Sequence, residues 1–406
     1  MNTFTVTAFL GFVALFQGGG HAPAPVLPAT PYNYAAPDLP AHFLTRLVRG
    51  LDNTPADNPI TDHGATLGRV LFYDKKLSVD GTIACASCHK QENAFTDPNR
   101  FSTGVLGRKG DRNSMALVNL RYYRNGRAFW DERAKTLEEQ ALGPIENPVE
   151  MGHELGKALE ALKAQDHYGP LFARAFGDPE INADRLAKAL AQFVRSLVSY
   201  QSRYDEGIAQ SRSIFEDFPN FTAEENRGKT IFLGEHDRAS RGNCATCHLR
   251  DFAFFERRDQ AKQTAIFFID QARNNGLEAK LVSDDNGIGD HSLNAGDYGR
   301  FKSSSLRNVE VTGPYMHDGR FQTLEEVVTF YNESVQPHPN LDPQLFGGPG
   351  RGRVRLMGLD EADKKALVAF LKTLTDRKFL TDPKFSDPFP SERGASTDVR
   401  RIGAAP

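Results

Sequence analysis

All four cysteines of this 406-residue chain are spent on two copies of one motif, Cys85-Ala86-Ser87-Cys88-His89 and Cys244-Ala245-Thr246-Cys247-His248. No other feature constrains the fold as strongly. A Cys-x-x-Cys-His run is the attachment signature of c-type haem. Two thiols add to the two vinyl groups of one porphyrin, and the imidazole that follows binds iron on the proximal side. The competing readings are a zinc site and a pair of disulfides. Zinc wants third and fourth ligands at motif spacing. A disulfide closed across two residues explains neither the histidine after each pair nor the repetition. The chain is therefore expected to carry two covalently bound haem c groups. Their attachment takes place outside the cytoplasm, which makes the periplasm the expected location.

The amino terminus fits export. Phe4 to Phe16 form an apolar run too short to span a bilayer as a helix, followed by Gly18, Gly19 and Gly20 and a Pro/Ala-rich stretch. Residues 1–24 read as a signal peptide and 25–55 as a linker. A buried core segment or a membrane tether is the alternative, because the first basic residue is Arg46. Hydrophobic residues make up 39% of the chain and charged residues 25%, the balance of a globular protein. With 49 Lys+Arg against 52 Asp+Glu, the net charge of -3 leaves no excess to neutralise phosphates or anionic lipid. Nucleic acid, and a membrane beyond the signal, are not expected partners.

The surroundings of the two motifs repeat. Gly68-Arg69-Val70-Leu71-Phe72 precedes the first and Gly228-Lys229-Thr230-Ile231-Phe232 the second. Ala-Phe pairs ending at Phe95 and Phe254 follow them; Leu117-Val118-Asn119 echoes Leu306-Arg307-Asn308, and Leu137-Glu138-Glu139 echoes Leu324-Glu325-Glu326. Apolar residues at helical spacing predict long helices over Ile181–Tyr200 and Glu361–Leu374, and Thr222-Ala223-Glu224-Glu225 is a capping box. The expected architecture is all-α: two tandem cytochrome-c-like haem domains from an internal duplication. The expected limits are 56–215 and 216–376, with 377–406 a surface tail. The second half alone carries a polar insertion, 257–303, whose Asp284-Asp285-Asn286-Gly287 reads as a turn or, more weakly, a calcium loop.

The halves cannot be equivalent. A carrier haem fills both axial positions, whereas a catalytic haem leaves one side open beneath acid-base groups. Lys90 to Arg112, after the first motif, holds neither His nor Met. The same half then offers Phe129-Trp130-Asp131, with the chain's only Trp, and the Pro-bounded Asn147-Pro148-Val149-Glu150-Met151. That combination suits an open haem that accepts peroxide.

In order along the chain stand CxxCH, RNSxALxN, FWDERAKTLEEQALGPIENPVEMG, the second CxxCH and LRNVEVTGPYMHDGRFQTLEEVV. Over residues 60 to 375 this order resembles the bacterial di-haem cytochrome c peroxidase / MauG family. The resemblance implies a peroxidatic first haem, a second haem that feeds it electrons, and a calcium ion between the domains. It makes Glu150 the distal acid-base carboxylate, with Gln140 and Pro144 beside it, and Trp130 the indole between the haems. A surface carboxylate and a core aromatic are the plainer readings of Glu150 and Trp130. Asn113, Thr312 and Pro314 become the calcium ligands, through an amide oxygen and backbone carbonyls. A homodimer follows as a family-level expectation.

At the second haem the resemblance divides. The peroxidases place a Met seven residues after the Leu of LEE, where this chain has Tyr331, as in MauG; Met316 is the alternative ligand. A thioether raises the potential and favours ferrous iron, whereas a phenolate stabilises ferric and higher states. Three functions remain open. The leading one is reduction of hydrogen peroxide to water with electrons from a small cytochrome c or cupredoxin. The others are a MauG-like oxidase that modifies residues of a partner protein, and a non-catalytic di-haem electron carrier.

Overall fold

The computed structural model describes residues 24–234, 242–249, 265–347 and 353–390. Their regular structure is helical apart from isolated bridges and one two-residue strand pair, Phe346–Gly347 with Arg353–Val354, with long irregular loops between the helices. The first domain is built on α1 (Asp62–Tyr73), α2 (Leu137–Glu146), α3 (Leu155–Lys163), α4 (Tyr168–Phe176) and α5 (Ala183–Ser196). The second is built on α6 (Arg203–Gln210), α7 (Ala223–Leu233), α8 (Leu324–Glu333) and α9 (Glu361–Lys372). The N-caps are those the sequence offers. Thr136 accepts from Glu139 N, Asn182 from Arg185 N and Asp360 from Asp363 N, while Thr222 with Glu225 and Thr323 with Glu326 close reciprocal boxes.

The duplication is visible in how each domain is clamped. At the crossing of α1 with α5, a Cβ on Gly68 would stand 2.0 Å from the Ala189 carbonyl oxygen and 2.8 Å from Phe193 Cβ. At the crossing of α7 with α9, a Cβ on Gly228 would stand 1.9 Å from the Ala366 oxygen and 2.9 Å from Phe370 Cβ. Both distances are below van der Waals contact, so only glycine lets either helix pair approach this closely. The two crossings head separate apolar cores, one around Leu71, Phe72, Phe95, Leu190 and Phe193, the other around Tyr204, Phe232, Phe267, Leu367 and Phe370.

Three expectations are corrected. The helix expected to reach Tyr200 ends at Ser196, because the backbone N–H groups beyond it find other acceptors. Asn119 Oδ1 takes Ser199 N at 2.8 Å, and Asp376 Oδ2 takes Tyr200 N and Gln201 N at 3.0 and 2.8 Å. Residues 25–55 are more than a linker. Tyr34 is buried in the first core, and Phe43, Val48 and Leu51 pack with Tyr122, Tyr123, Ile266 and Phe268 in a cluster drawing on both halves. The tail past 377 is likewise no surface strap over its described part, since Phe379, Leu380 and Phe385 enter the first core, Phe379 and Phe385 packing on Phe95. Tyr34 from before the first helices and Phe379, Leu380 and Phe385 from after the last thus join the first core. Residues 1–23, Phe254 and 257–264 lie outside the described residues.

Candidate di-haem site

The first motif forms a single helical turn, Cys85–Cys88, steadied by a hydrogen bond from Ala84 N to Ser87 Oγ at 3.0 Å. Its thiols are not joined to each other, and burial pushes the Cys85 thiol up to about 12. Ala94 and Phe95 both adopt positive φ, a sharp turn that brings the Phe95 carbonyl to 2.8 Å from His89 Nδ1. A ring nitrogen facing a carbonyl must carry the proton, which leaves Nε2 with its lone pair. Two free thiols and a metal-ready imidazole, all lining one cavity of about 720 Å³, fit a covalently held haem.

Gln140, Pro144, Trp130 and Glu150 line this same cavity. Glu150 is held by the Asn147 turn: Asn147 Oδ1 accepts from Val149 N at 2.9 Å, and Asn147 Nδ2 donates to Glu150 Oε1 at 2.8 Å. Burial raises the Glu150 pKa against the opposing pull of Arg133. Glu150 is therefore a half-buried, oriented carboxyl at the cavity wall, and the plain surface reading does not describe it. Arg133 is a residue that sequence reasoning missed. Its guanidinium lies 3.6 Å from the Phe129 ring centroid and donates to Asp131 at 3.0 and 3.1 Å, and it too lines the cavity. The Arg two places after the Asp in FWDER was the available signal.

The insertion also reaches this cavity. Asp285 takes Arg112 with two bonds of 2.7 Å, His291 Nε2 lies 3.3 Å from Asp131, and Asp290 and His291 line the cavity. The Asp284–Gly287 loop is thus engaged with an arginine. Among the described residues no cluster of three or more His, Cys, Asp or Glu could hold a metal ion.

The second cavity, about 270 Å³, is lined by Cys244, Cys247, His248, Met316 and Tyr331. Burial lowers His248 to about 4, keeping it neutral and able to ligate, and raises the Tyr331 phenol to about 12. Both candidate ligands meet one side chain: Asn275 Nδ2 lies 3.3 Å from Tyr331 Oη and 3.4 Å from Met316 Sδ. Asn275 sits in the insertion and had no motif to announce it. Asn113, Thr312 and Pro314 all line this second cavity.

Matched position by position through their repeats, the halves differ in the side chains they bring to the cavities. Ala128 bridges Ala134 as Tyr315 bridges Phe321, and these loops hold Phe129 and Met316 at matching φ of 69° and 73°. Pro144 on α2 and Tyr331 on α8 each stand at the seventh position after the helix's first Leu. Where the second half offers a thioether and a phenol, the first offers Phe129 and Pro144, which cannot ligate iron. Between the cavities stands a shared wall of Asn113, Ser114, Met115, Trp130 and Lys302. Trp130 Nε1 donates to the Asn113 carbonyl at 2.7 Å, and the two repeats exchange backbone bonds, Asn113 N to His317 O and Lys302 N to Trp130 O, each 2.7 Å.

A helical duplication with two CxxCH cavities, one lined by a thioether and a phenol and the other by Phe129 and Pro144 at the equivalent positions, defines a di-haem c-type oxidoreductase. A family model described as di-haem cytochrome c peroxidase matches residues 62–213. Methylamine utilization protein MauG of Methylorubrum extorquens is 34% identical over 79% of this chain and 80% of its own length. Cytochrome c551 peroxidase of Nitrosomonas europaea is 32% identical over 77% of this chain and 79% of its own. The crystal structure of a MauG-like protein associated with microbial copper homeostasis aligns with a TM-score of 0.69 at 31% identity, covering 87% of this chain and 99% of that one. The chain belongs to the di-haem cytochrome c peroxidase / MauG family. It is an oxidoreductase of the peroxidase type carrying two haem c groups, so the non-catalytic carrier reading falls. No described helix is long and apolar enough to cross a membrane.

Proposed function

We propose that this chain, exported to the periplasm, reduces hydrogen peroxide to water in the cavity of Cys85, Cys88 and His89. Its electrons come from a small cytochrome c or cupredoxin by way of the second cavity and Trp130. The observation that carries this reading is Glu150, oriented by Asn147 in a cavity whose would-be ligand position is Pro144. When bound through Cys85, Cys88 and His89, a haem there would supply the redox chemistry. Glu150 takes the proton from one peroxide oxygen and returns it to the other, departing oxygen. Its raised pKa brings it closer to the pH at which it must both accept and donate. Arg133 supplies a fixed positive charge that keeps the carboxylate form accessible. Pro144 leaves the distal space unfilled. Trp130, touching both cavities, offers a polarizable ring between them. A calcium ion held by oxygens of Asn113, Thr312 and Pro314 would brace this wall.

A MauG-like oxidase acting on a partner protein is the second reading. Tyr331 and Asn275 favour it, because a phenol oriented in the second cavity suits higher oxidation states. Steady-state peroxide consumption with a reduced small cytochrome c tests the first reading. Rapid turnover that Glu150→Gln abolishes, with both haems retained, is the expected result. Peroxide oxidation of the haems without cytochrome turnover overturns it in favour of the second.

A further inference from the structure

Tyr123 and Glu132 form a buried pair that peroxide reduction as described does not use. They are 1% and 8% exposed, and the Tyr123 hydroxyl donates to Glu132 Oε1. Lys302 lies over the same ring, its Nζ 3.6 Å from the centroid, and donates from Nζ to the Arg127 carbonyl. The same lysine donates its backbone N–H to the Trp130 carbonyl at 2.7 Å and belongs to the wall between the cavities. One residue therefore binds the backbone of Trp130, whose side chain lines both cavities, and lies over the buried phenol. Beyond Tyr123 the chain emerges directly, with Arg124 and Asn125 exposed.

A phenol buried for packing alone needs any acceptor. This one has a carboxylate, a base matched to a phenol that is losing an electron. In a low-dielectric site a cationic oxidised phenol is costly, and more so beneath a lysine ammonium. Oxidation there becomes accessible only if the proton leaves with the electron, and Glu132 stands hydrogen-bonded to receive it. Burial brings Lys302 down to about 7 while Glu132 holds its charge up, so the three groups form one electrostatic unit.

We propose that Tyr123 is a proton-coupled redox relay for the oxidising equivalents that peroxide produces in the first cavity. One electron leaves the Tyr123 ring toward Trp130, and the phenol proton passes to Glu132 Oε1. The products are a neutral tyrosyl and a neutral carboxylic acid. The electron is one of the two that peroxide takes up, with two protons, in becoming water. A one-electron donor at the nearby surface restores the phenol, and Glu132 returns the proton. This relay rests on the peroxide reaction proposed above, and it gives that reaction a second exit or entry for electrons, separate from the second cavity.

The test uses the enzyme loaded with both haems, mixed with peroxide, freeze-quenched and read by electron paramagnetic resonance with and without ring-deuterated tyrosine. A tyrosyl signal that narrows on deuteration is expected in the parent, is lost in Tyr123→Phe and is diminished in Glu132→Gln. The visible haem bands, read on the same samples, report whether peroxide oxidised the haems. An unchanged tyrosyl signal in Tyr123→Phe, or an undiminished one in Glu132→Gln, with haems oxidised as in the parent, overturns the relay. Haems that do not respond to peroxide in the parent overturn the underlying reaction as well. Glu132→Gln keeps the ring and the fold's volume, so the relay stays testable if Tyr123→Phe does not fold.

Discussion

Replacing Glu150 by Gln separates proton transfer from architecture. The amide has nearly the volume of the carboxyl, and its oxygen can still accept the 2.8 Å bond from Asn147 Nδ2. What disappears is the ability to take and return a proton. A positioned general acid-base group contributes ~10²–10⁴ in rate, which at about 1.36 kcal/mol per tenfold is about 2.7–5.4 kcal/mol of transition-state stabilisation. The expected outcome is a loss of that size in kcat/KM for peroxide. The pH profile adds a second check. Burial raises the Glu150 pKa, so the carboxylate base forms only above the ordinary carboxyl range. In the parent, kcat/KM should rise with pH on an acid limb displaced upward, and the variant should lack that limb. Stability moves the other way. A folded-state pKa above the unfolded one gives stability that is present at low pH and lost as pH rises through the folded value, so at neutral pH the Gln variant should be at least as stable. Peroxide turnover by the variant within about threefold of the parent, with both haems attached, would falsify the assignment, because a positioned general acid-base group typically contributes about a hundredfold or more.

Three further outcomes follow from the geometry. If Tyr331 is the second-haem ligand, Tyr331→Phe should change the visible spectrum and ascorbate reducibility of that haem while Met316→Leu leaves both as they were; the reverse pattern identifies Met316. Gly68→Ala and Gly228→Ala should each destabilise by about 1–3 kcal/mol or more, since the added Cβ meets a backbone carbonyl at each crossing; thermal unfolding indistinguishable from the parent would contradict the clamp. Asp205→Asn breaks a buried ion pair with Arg307 (2.8 and 2.9 Å) and should cost about 3–5 kcal/mol. Because the Asp205 pKa is depressed, the parent's advantage should be present above the ordinary carboxyl range and vanish as pH falls through the depressed value, which denaturant titrations at several pH values would reveal.

What the sequence disclosed, it disclosed through chemistry with fixed spacing. Two CxxCH motifs announce two haems, and the repeats around Gly68 and Gly228 announce a duplicated helical domain. Glu150, Gln140, Pro144 and Trp130 came from ordered motifs, and the structure gathers all four on one cavity. What stayed hidden is what forms only when distant segments meet. Phe379 and Phe385 lie far along the chain from Phe95, and no local periodicity says that a Pro-rich tail returns to the first core. Asn275 lies in a polar insertion and acquires meaning only beside Tyr331 and Met316. Arg133 was in plain view in FWDER, but nothing in the motif says that its guanidinium reaches the cavity wall.

The repeats also explain how one ancestral domain could yield two unlike haem sites. Both halves keep the clamp glycine, the capped helix opening Leu-Glu-Glu, the bridged loop with two residues at positive φ, and the left-handed asparagine, Asn119 or Asn308. These features set the backbone, and they are shared. The side chains lining the two cavities at these positions are not: Pro144 stands for Tyr331 and Phe129 for Met316. Substitution at those positions costs the fold little, because the helix and the loop are held from elsewhere. It changes which donor groups each cavity wall presents. The wall between the cavities follows the same logic, since Trp130 and His317 are equivalent by the repeat and each accepts a backbone bond from the other half. Only the first half places an indole there, and that choice gives the two haem sites a shared aromatic contact without disturbing the exchange of hydrogen bonds that holds the domains together.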